Sequence, residues 1–167
     1  MNADIVWHYT PMNRARQIID SGFILGATAG MPPGERPCAW FSACPTFEPF
    51  AQKALVQNGQ LVIMTIEQMH ELFGGLARFG VARSRCMHWR HIQKVTGMKS
   101  GTARRLEREG RRQGAVPGLW WVIAGDVPLA HVEIIETGDR TGKGWSEICS
   151  NVLVSLDQVA ARNRSAA

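Results

Sequence analysis

Short β-rich runs, each cut off by glycine, proline or a polar turn, constrain this chain more than any other feature. Ile5-Val6-Trp7-His8-Tyr9, Phe23-Ile24-Leu25, Cys38-Ala39-Trp40-Phe41-Ser42, Leu61-Val62-Ile63-Met64-Thr65, Leu119-Trp120-Trp121-Val122-Ile123, His131-Val132-Glu133-Ile134-Ile135, Trp145-Ser146-Glu147-Ile148-Cys149 and Val152-Leu153-Val154-Ser155-Leu156 all predict strands. Leu61 to Thr65 is continuously apolar up to its last residue and suits a buried strand. Helices are expected where Met12, Ala15, Ile18 and Ile19 recur before Ser21-Gly22, after Pro45 through Phe50, Lys53 and Leu55, and over Ile66 to Phe73 before Gly74-Gly75. Two more fall near Arg90 to Val95 and Gly101 to Arg112, parted by Gly97. Ala27 to Pro37 and Gly138 to Gly144 are turn-rich loops. Helices do not alternate regularly with strands, so the pattern predicts an α+β domain with mixed or antiparallel sheets rather than a doubly wound parallel one. Neither G-x-G-x-x-G nor G-x-x-x-x-G-K-[ST] occurs, which excludes the Rossmann and P-loop modes of holding a nucleotide.

With 167 residues, 45% hydrophobic and 20% charged, the chain is the size and composition of one globular domain, expected over 1–160 with a frayed tail over 161–167. No apolar run approaches the roughly 20 residues that span a bilayer, and Met1-Asn2-Ala3-Asp4 does not open like a secretory leader, so a cytoplasmic protein without a membrane partner is expected. Cys38, Cys44, Cys86 and Cys149 are scattered and read as free thiols. Cys86, His88 and His91 match no zinc module, and no metal is expected. The net charge of +5 is concentrated between Arg83 and Arg112, where ten Lys and Arg side chains face Glu107 and Glu109 alone. That block is either a solvated helical face or a footprint for phosphates, of nucleic acid or of a bound pyrophosphate.

Three segments carry the chemistry: Trp7-His8-Tyr9-Thr10 with the helix exit Ile18-Ile19-Asp20-Ser21-Gly22-Phe23, then Trp40-Phe41-Ser42 followed by Phe47 and Phe50, then Trp145-Ser146-Glu147-Ile148. In this order they resemble the H-Y-E branch of the ADP-ribosyltransferases, the poly(ADP-ribose) polymerase and diphtheria-toxin branch, mainly over residues 5–55. The resemblance implies a fold of split mixed or antiparallel sheets with short flanking helices, NAD as substrate, and a small toxin-like domain. It also implies roles. His8 holds the adenosine-side ribose; Tyr9 and Thr10 continue the nicotinamide-binding strand. Trp40 stands where the family has tyrosine, Phe41, Ser42 and Phe50 complete the nicotinamide and ribose contacts, and Glu147 is the catalytic carboxylate. Tyr9 and Trp40 depart from the family's glycine and tyrosine.

The chemistry asks for these residue types. Breaking the nicotinamide–ribose bond develops positive charge at the anomeric carbon, which a carboxylate stabilises and an aromatic face beside nicotinamide complements. Glu133 and Glu136, on opposite faces of the preceding strand, are the alternatives to Glu147. Each residue taken singly also has a plain structural role: a histidine at a strand end, a core Trp-Phe pair, a solvated glutamate. Three functions remain open. One is an enzyme that transfers ADP-ribose to a protein or nucleic acid, or hydrolyses NAD. Another is a non-catalytic module binding NAD, ADP-ribose or nucleic acid, and the last is a nucleic-acid-binding protein using Arg83 to Arg112.

Overall fold

The computed structural model describes residues 4–148. In chain order these form β1 (Ile5–Pro11), α1 (Met12–Ser21), β2 (Phe23–Ile24), β3 (Cys38–Ser42), β4 (Ala54–Gln57), β5 (Gln60–Ile63), α2 (Ile66–Phe73), β6 (Leu76–Ala82), β7 (Met87–His88), α3 (Ile92–Thr96), α4 (Ser100–Arg112), β8 (Trp120–Ala124), β9 (Val127–Pro128), β10 (Ile134–Gly138) and β11 (Trp145–Glu147). The architecture is α+β, with antiparallel strand pairing. Seven strands make one sheet in the order β11-β10-β6-β1-β3-β8-β7, while β2–β9 and β4–β5 form two small ribbons. The expected strand at Val152 to Leu156 and the tail over 161–167 lie outside the described residues. Among the described residues, no helix is long and apolar enough to cross a membrane.

The sheet is covered on both faces because its interior strand β6 is buried on both. Leu76 to Val81 are all buried in β6, a strand that hydrophobic patterning does not reveal because Arg78 and Gly80 interrupt it. On one face Val6, Phe41, Phe79 and Val81 pack against Met12, Ala15 and Ile18 of α1. α1 ends where expected: Gly22 takes the left-handed conformation (φ 76°), and its amide donates to the Ile18 carbonyl at 2.9 Å. On the other face Tyr9 and Leu76 pack with Phe47, Met64 and Met69 of α2. Thr65 and Gln68 cap α2 reciprocally, each side chain accepting from the other's amide. Further along that face, Trp89, Ile92, Trp120 and Val122 form an aromatic core that seats Ala103 and Leu106 of α4. Arg78 crosses the second face between the rings of Trp7 and Trp145, 3.8 and 4.4 Å from their centroids, and its charge is met by Glu136.

Three expectations of element placement change. The helix expected through Phe50, Lys53 and Leu55 shrinks to one 3₁₀ turn at Pro49–Ala51, and the chain then enters β4. The run from Leu61 to Thr65 is not a buried strand. Residues Gln60–Ile63 pair only with β4, and Val56 and Leu61 are each 74% exposed. Asn58 and Gly59, both at positive φ (52° and 75°), make the two-residue hairpin turn that forces this pairing. The strand expected from His131 starts later, at Ile134, because its partner is β6: Ile134 stands opposite Gly80, whose missing side chain admits the Ile134, Ile5 and Trp7 side chains.

Candidate functional site

β1 and β6 are registered over their full length, whereas β1 and β3 share the single pair Trp7 and Ser42. Past that pair the two strands diverge, and the gap between them opens into a cleft of about 530 Å³. Its walls come from β1, β3, the loop before β3, the Glu48–Lys53 segment and α4. That volume falls in the range of roughly 300–1,000 Å³ typical of small-molecule sites. Six of the seven residues expected to contact a dinucleotide line it: His8, Tyr9, Trp40, Phe41, Ser42 and Phe50. The seventh, Thr10, is buried in the sheet and does not.

His8 bridges the split. Its Nδ1 lies 2.9 Å from the Trp40 carbonyl oxygen, which only accepts, so Nδ1 carries the proton and Nε2 is left as an acceptor. Desolvation pushes the imidazole pKa down to about 4, with the Lys53 charge adding to the fall and the Trp40 carbonyl opposing it. The ring is therefore neutral at physiological pH.

This has a measurable consequence for stability. Above pH 6.5, the ordinary value, both folded and unfolded chains hold His8 neutral. As pH falls from there towards 4, the unfolded chain takes up a proton that the folded one refuses, so stability drops, by about 3 kcal/mol in all. Urea midpoints at neutral pH and near pH 4 are expected to show this loss in the wild type and a smaller one in His8→Gln. Equal pH dependence in the two proteins would contradict it.

The aromatic wall is built from strand neighbours. Trp40 faces Trp89 at 5.0 Å and Trp120 at 6.2 Å between centroids, and Phe50 stacks on Trp120 at 5.2 Å and 15°. Arg36, Lys53 and Arg105 add positive charge to the lining.

The expected catalytic carboxylate lies elsewhere. Glu147 is exposed on the edge strand β11, with β10 and β6 between it and β1. It borders a separate shallow depression of about 210 Å³ together with Glu133. Glu136 is committed to Arg78. None of the three lines the cleft.

The cleft holds two other carboxylates, Glu35 and Glu48. Glu48 is 6% exposed, held at the floor by Pro49 after it and buried Phe47 before it. One oxygen accepts from the Ser42 hydroxyl at 2.6 Å; the other accepts from the Trp120 indole N–H at 3.2 Å and the Phe50 amide at 3.4 Å. Glu35 Oε1, in the loop over the cleft, is buried with no hydrogen-bond partner among the described residues. Glu48 is not marked by the family resemblance; its signal in the sequence is its place between Phe47 and Pro49, just after the Trp40-Phe41-Ser42 strand.

Among the described residues there is no cluster of three or more His, Cys, Asp or Glu side chains able to hold a metal ion. His88 bonds instead to the Gly118 carbonyl at 3.0 Å through Nε2, and burial pushes the Cys86 thiol up to about 12. No protein-family model, curated protein or solved structure matches the chain.

Proposed function

We propose that this cleft binds NAD in the cytoplasm and breaks its nicotinamide–ribose bond, passing ADP-ribose to a macromolecular acceptor or to water. The observation that carries the reading is the convergence of neutral His8, the Trp40 and Phe50 rings and Ser42 on one cleft whose floor is the fixed carboxylate of Glu48. The sheet that parts between β1 and β3 is the counterpart, in this reading, of the split sheet of ADP-ribosyltransferases.

The reaction balances simply. The C–N bond breaks with its electron pair leaving on neutral nicotinamide, the anomeric carbon gains positive charge, and the acceptor oxygen or nitrogen bonds to that carbon and loses its proton. Glu48 stabilises the developing charge and accepts a hydrogen bond from a ribose hydroxyl, in the position first expected for Glu147. His8 Nε2 accepts from a second ribose hydroxyl. Trp40 and Phe50 give nicotinamide or adenine an apolar face, and Arg36, Lys53 and Arg105 balance the pyrophosphate.

One observation favours a binding module instead. Both oxygens of Glu48 already accept hydrogen bonds from Ser42, Trp120 and Phe50, which is also how a purely structural carboxylate is held. Incubating the protein with NAD, with and without cell extract as a source of acceptors, and following free nicotinamide separates the two. Release above the rate without protein is expected. Its absence in both conditions, with ADP-ribose still binding, leaves the module.

A further inference from the structure

We propose that the outer face of α4 is a docking track for the sugar-phosphate backbone of nucleic acid, running to the mouth of the cleft. Arg104, Arg105, Arg108, Arg111 and Arg112 are all exposed, and at 3.6 residues per turn they fall within an arc of about 120°. The opposite side of α4 is fixed against the protein. Leu106 and Ala103 pack on the aromatic core, and a Cβ on Gly110 would lie 2.4 Å from the Trp120 ring, so the helix cannot roll to bury its arginines.

Local pairing does not account for the charge. Glu107 accepts from the Trp89 indole N–H at 2.7 Å, and Glu109 is taken by Arg112 and Gln113. Among the described residues, Arg104, Arg105, Arg108 and Arg111 make no ion pair. Helix stability does not account for it either. Arg111 and Arg112 suit the negative end of the helix dipole, but Arg104 and Arg108 stand four apart, and Arg108 and Arg111 three apart, where like charges repel.

A dense, unpaired, single-sign array calls for a ligand of equally dense and linear opposite charge. Nucleic acid supplies one phosphate per roughly 3.4 Å of strand, and the flat guanidinium fork binds phosphate oxygens in pairs. The absence of exposed aromatic residues on α4 makes the contact one with backbone rather than bases, hence independent of sequence. Thr102, Arg105 and Leu106 also line the cleft, so a bound strand passes its mouth. That the strand is the ADP-ribose acceptor rests on the NAD reading; the docking itself does not.

Fluorescence anisotropy with labelled single-stranded RNA, single-stranded DNA and duplex DNA, without NAD, tests the track. Saturable binding at about 0.1 M salt is expected. Substituting Arg104→Gln, Arg108→Gln and Arg111→Gln together should weaken it at least ~10-fold and make the log–log salt slope shallower by about 2. A control that removes the same charge elsewhere, Arg14→Gln with Arg16→Gln and Lys143→Gln, should change affinity less than ~3-fold. Absence of binding to all three probes would overturn the proposal, as would equal losses in the two variants. Displacement of the strand by polyglutamate as readily as by unlabelled nucleic acid would overturn it too, in favour of an acidic protein partner. Because no step uses NAD, failure of the cleavage assay leaves this result standing, and the reverse.

Discussion

Replacing Glu48 by glutamine is expected to cut nicotinamide release from NAD by roughly 10²–10³-fold, the loss typical of removing one preorganised electrostatic group from a reacting centre. Glutamine keeps the shape and one carbonyl acceptor, so the hydrogen bonds from Ser42 and Trp120 are only partly lost. The fold is expected to survive that at a cost of about 1–3 kcal/mol, visible as an unchanged circular dichroism spectrum. What the variant removes is the negative charge, which in the proposed reaction stabilises the transition state. Glu147→Gln, on the exposed edge of β11, is expected to change the rate less than ~2-fold, as surface substitutions away from a site usually do. The reverse pattern, with Glu147→Gln inactive and Glu48→Gln active, would move the chemistry to the other end of the sheet.

Phe79→Ala is expected to cost about 3–5 kcal/mol of stability. Phe79 is 0% exposed on the interior strand β6, in the same core as α1, and the strand has neighbours on both sides, β1 and β10. Its core neighbours Val6, Phe41, Ala77 and Val81 are buried as well. For a protein of this size such a loss lowers the melting temperature by about 10 °C, measurable by calorimetry or urea unfolding. A loss under ~1 kcal/mol would mean that Phe79 is not packed in the core between the sheet and α1.

The contrast between β6 and its neighbours shows what the sequence makes legible. β1, β3 and β8 stand out because each is a short run carrying two or more aromatic or β-branched residues between turn-prone ones, and α1 and α2 because each carries helical spacing with a glycine stop. β6 is hidden because its arginine is buried by a tertiary device, the Trp7–Arg78–Trp145 sandwich closed by Glu136, and its glycine by the close approach of Ile134, Ile5 and Trp7. Neither is visible before the strands are assembled. The exposed hairpin of β4 and β5 is the opposite case: its run is apolar like a buried strand, but the Asn58-Gly59 turn dictates its pairing.

The site divides in the same way. His8, Trp40, Ser42 and Phe50 belong to segments whose local pattern marks them, and the fold brings them to one cleft. The carboxylate could not be chosen locally. Glu147 follows a glycine-rich loop as the family resemblance asks, yet two strands separate it from β1. Glu48 reaches the cleft through contacts with Ser42 on β3 and Trp120 on β8, a proximity set by sheet order and not by spacing along the chain.

The account stands most directly on whether NAD enters the cleft, and the protein carries its own reporter. Trp7, Trp40 and Trp120 all line it, so a titration with NAD and with ADP-ribose can be followed by tryptophan fluorescence. The account predicts a saturable change with half-saturation below about 1 mM, the upper end of common substrate constants, and a clear weakening in Phe50→Ala. No saturable change with either ligand would contradict it, and so would a change that Phe50→Ala leaves untouched.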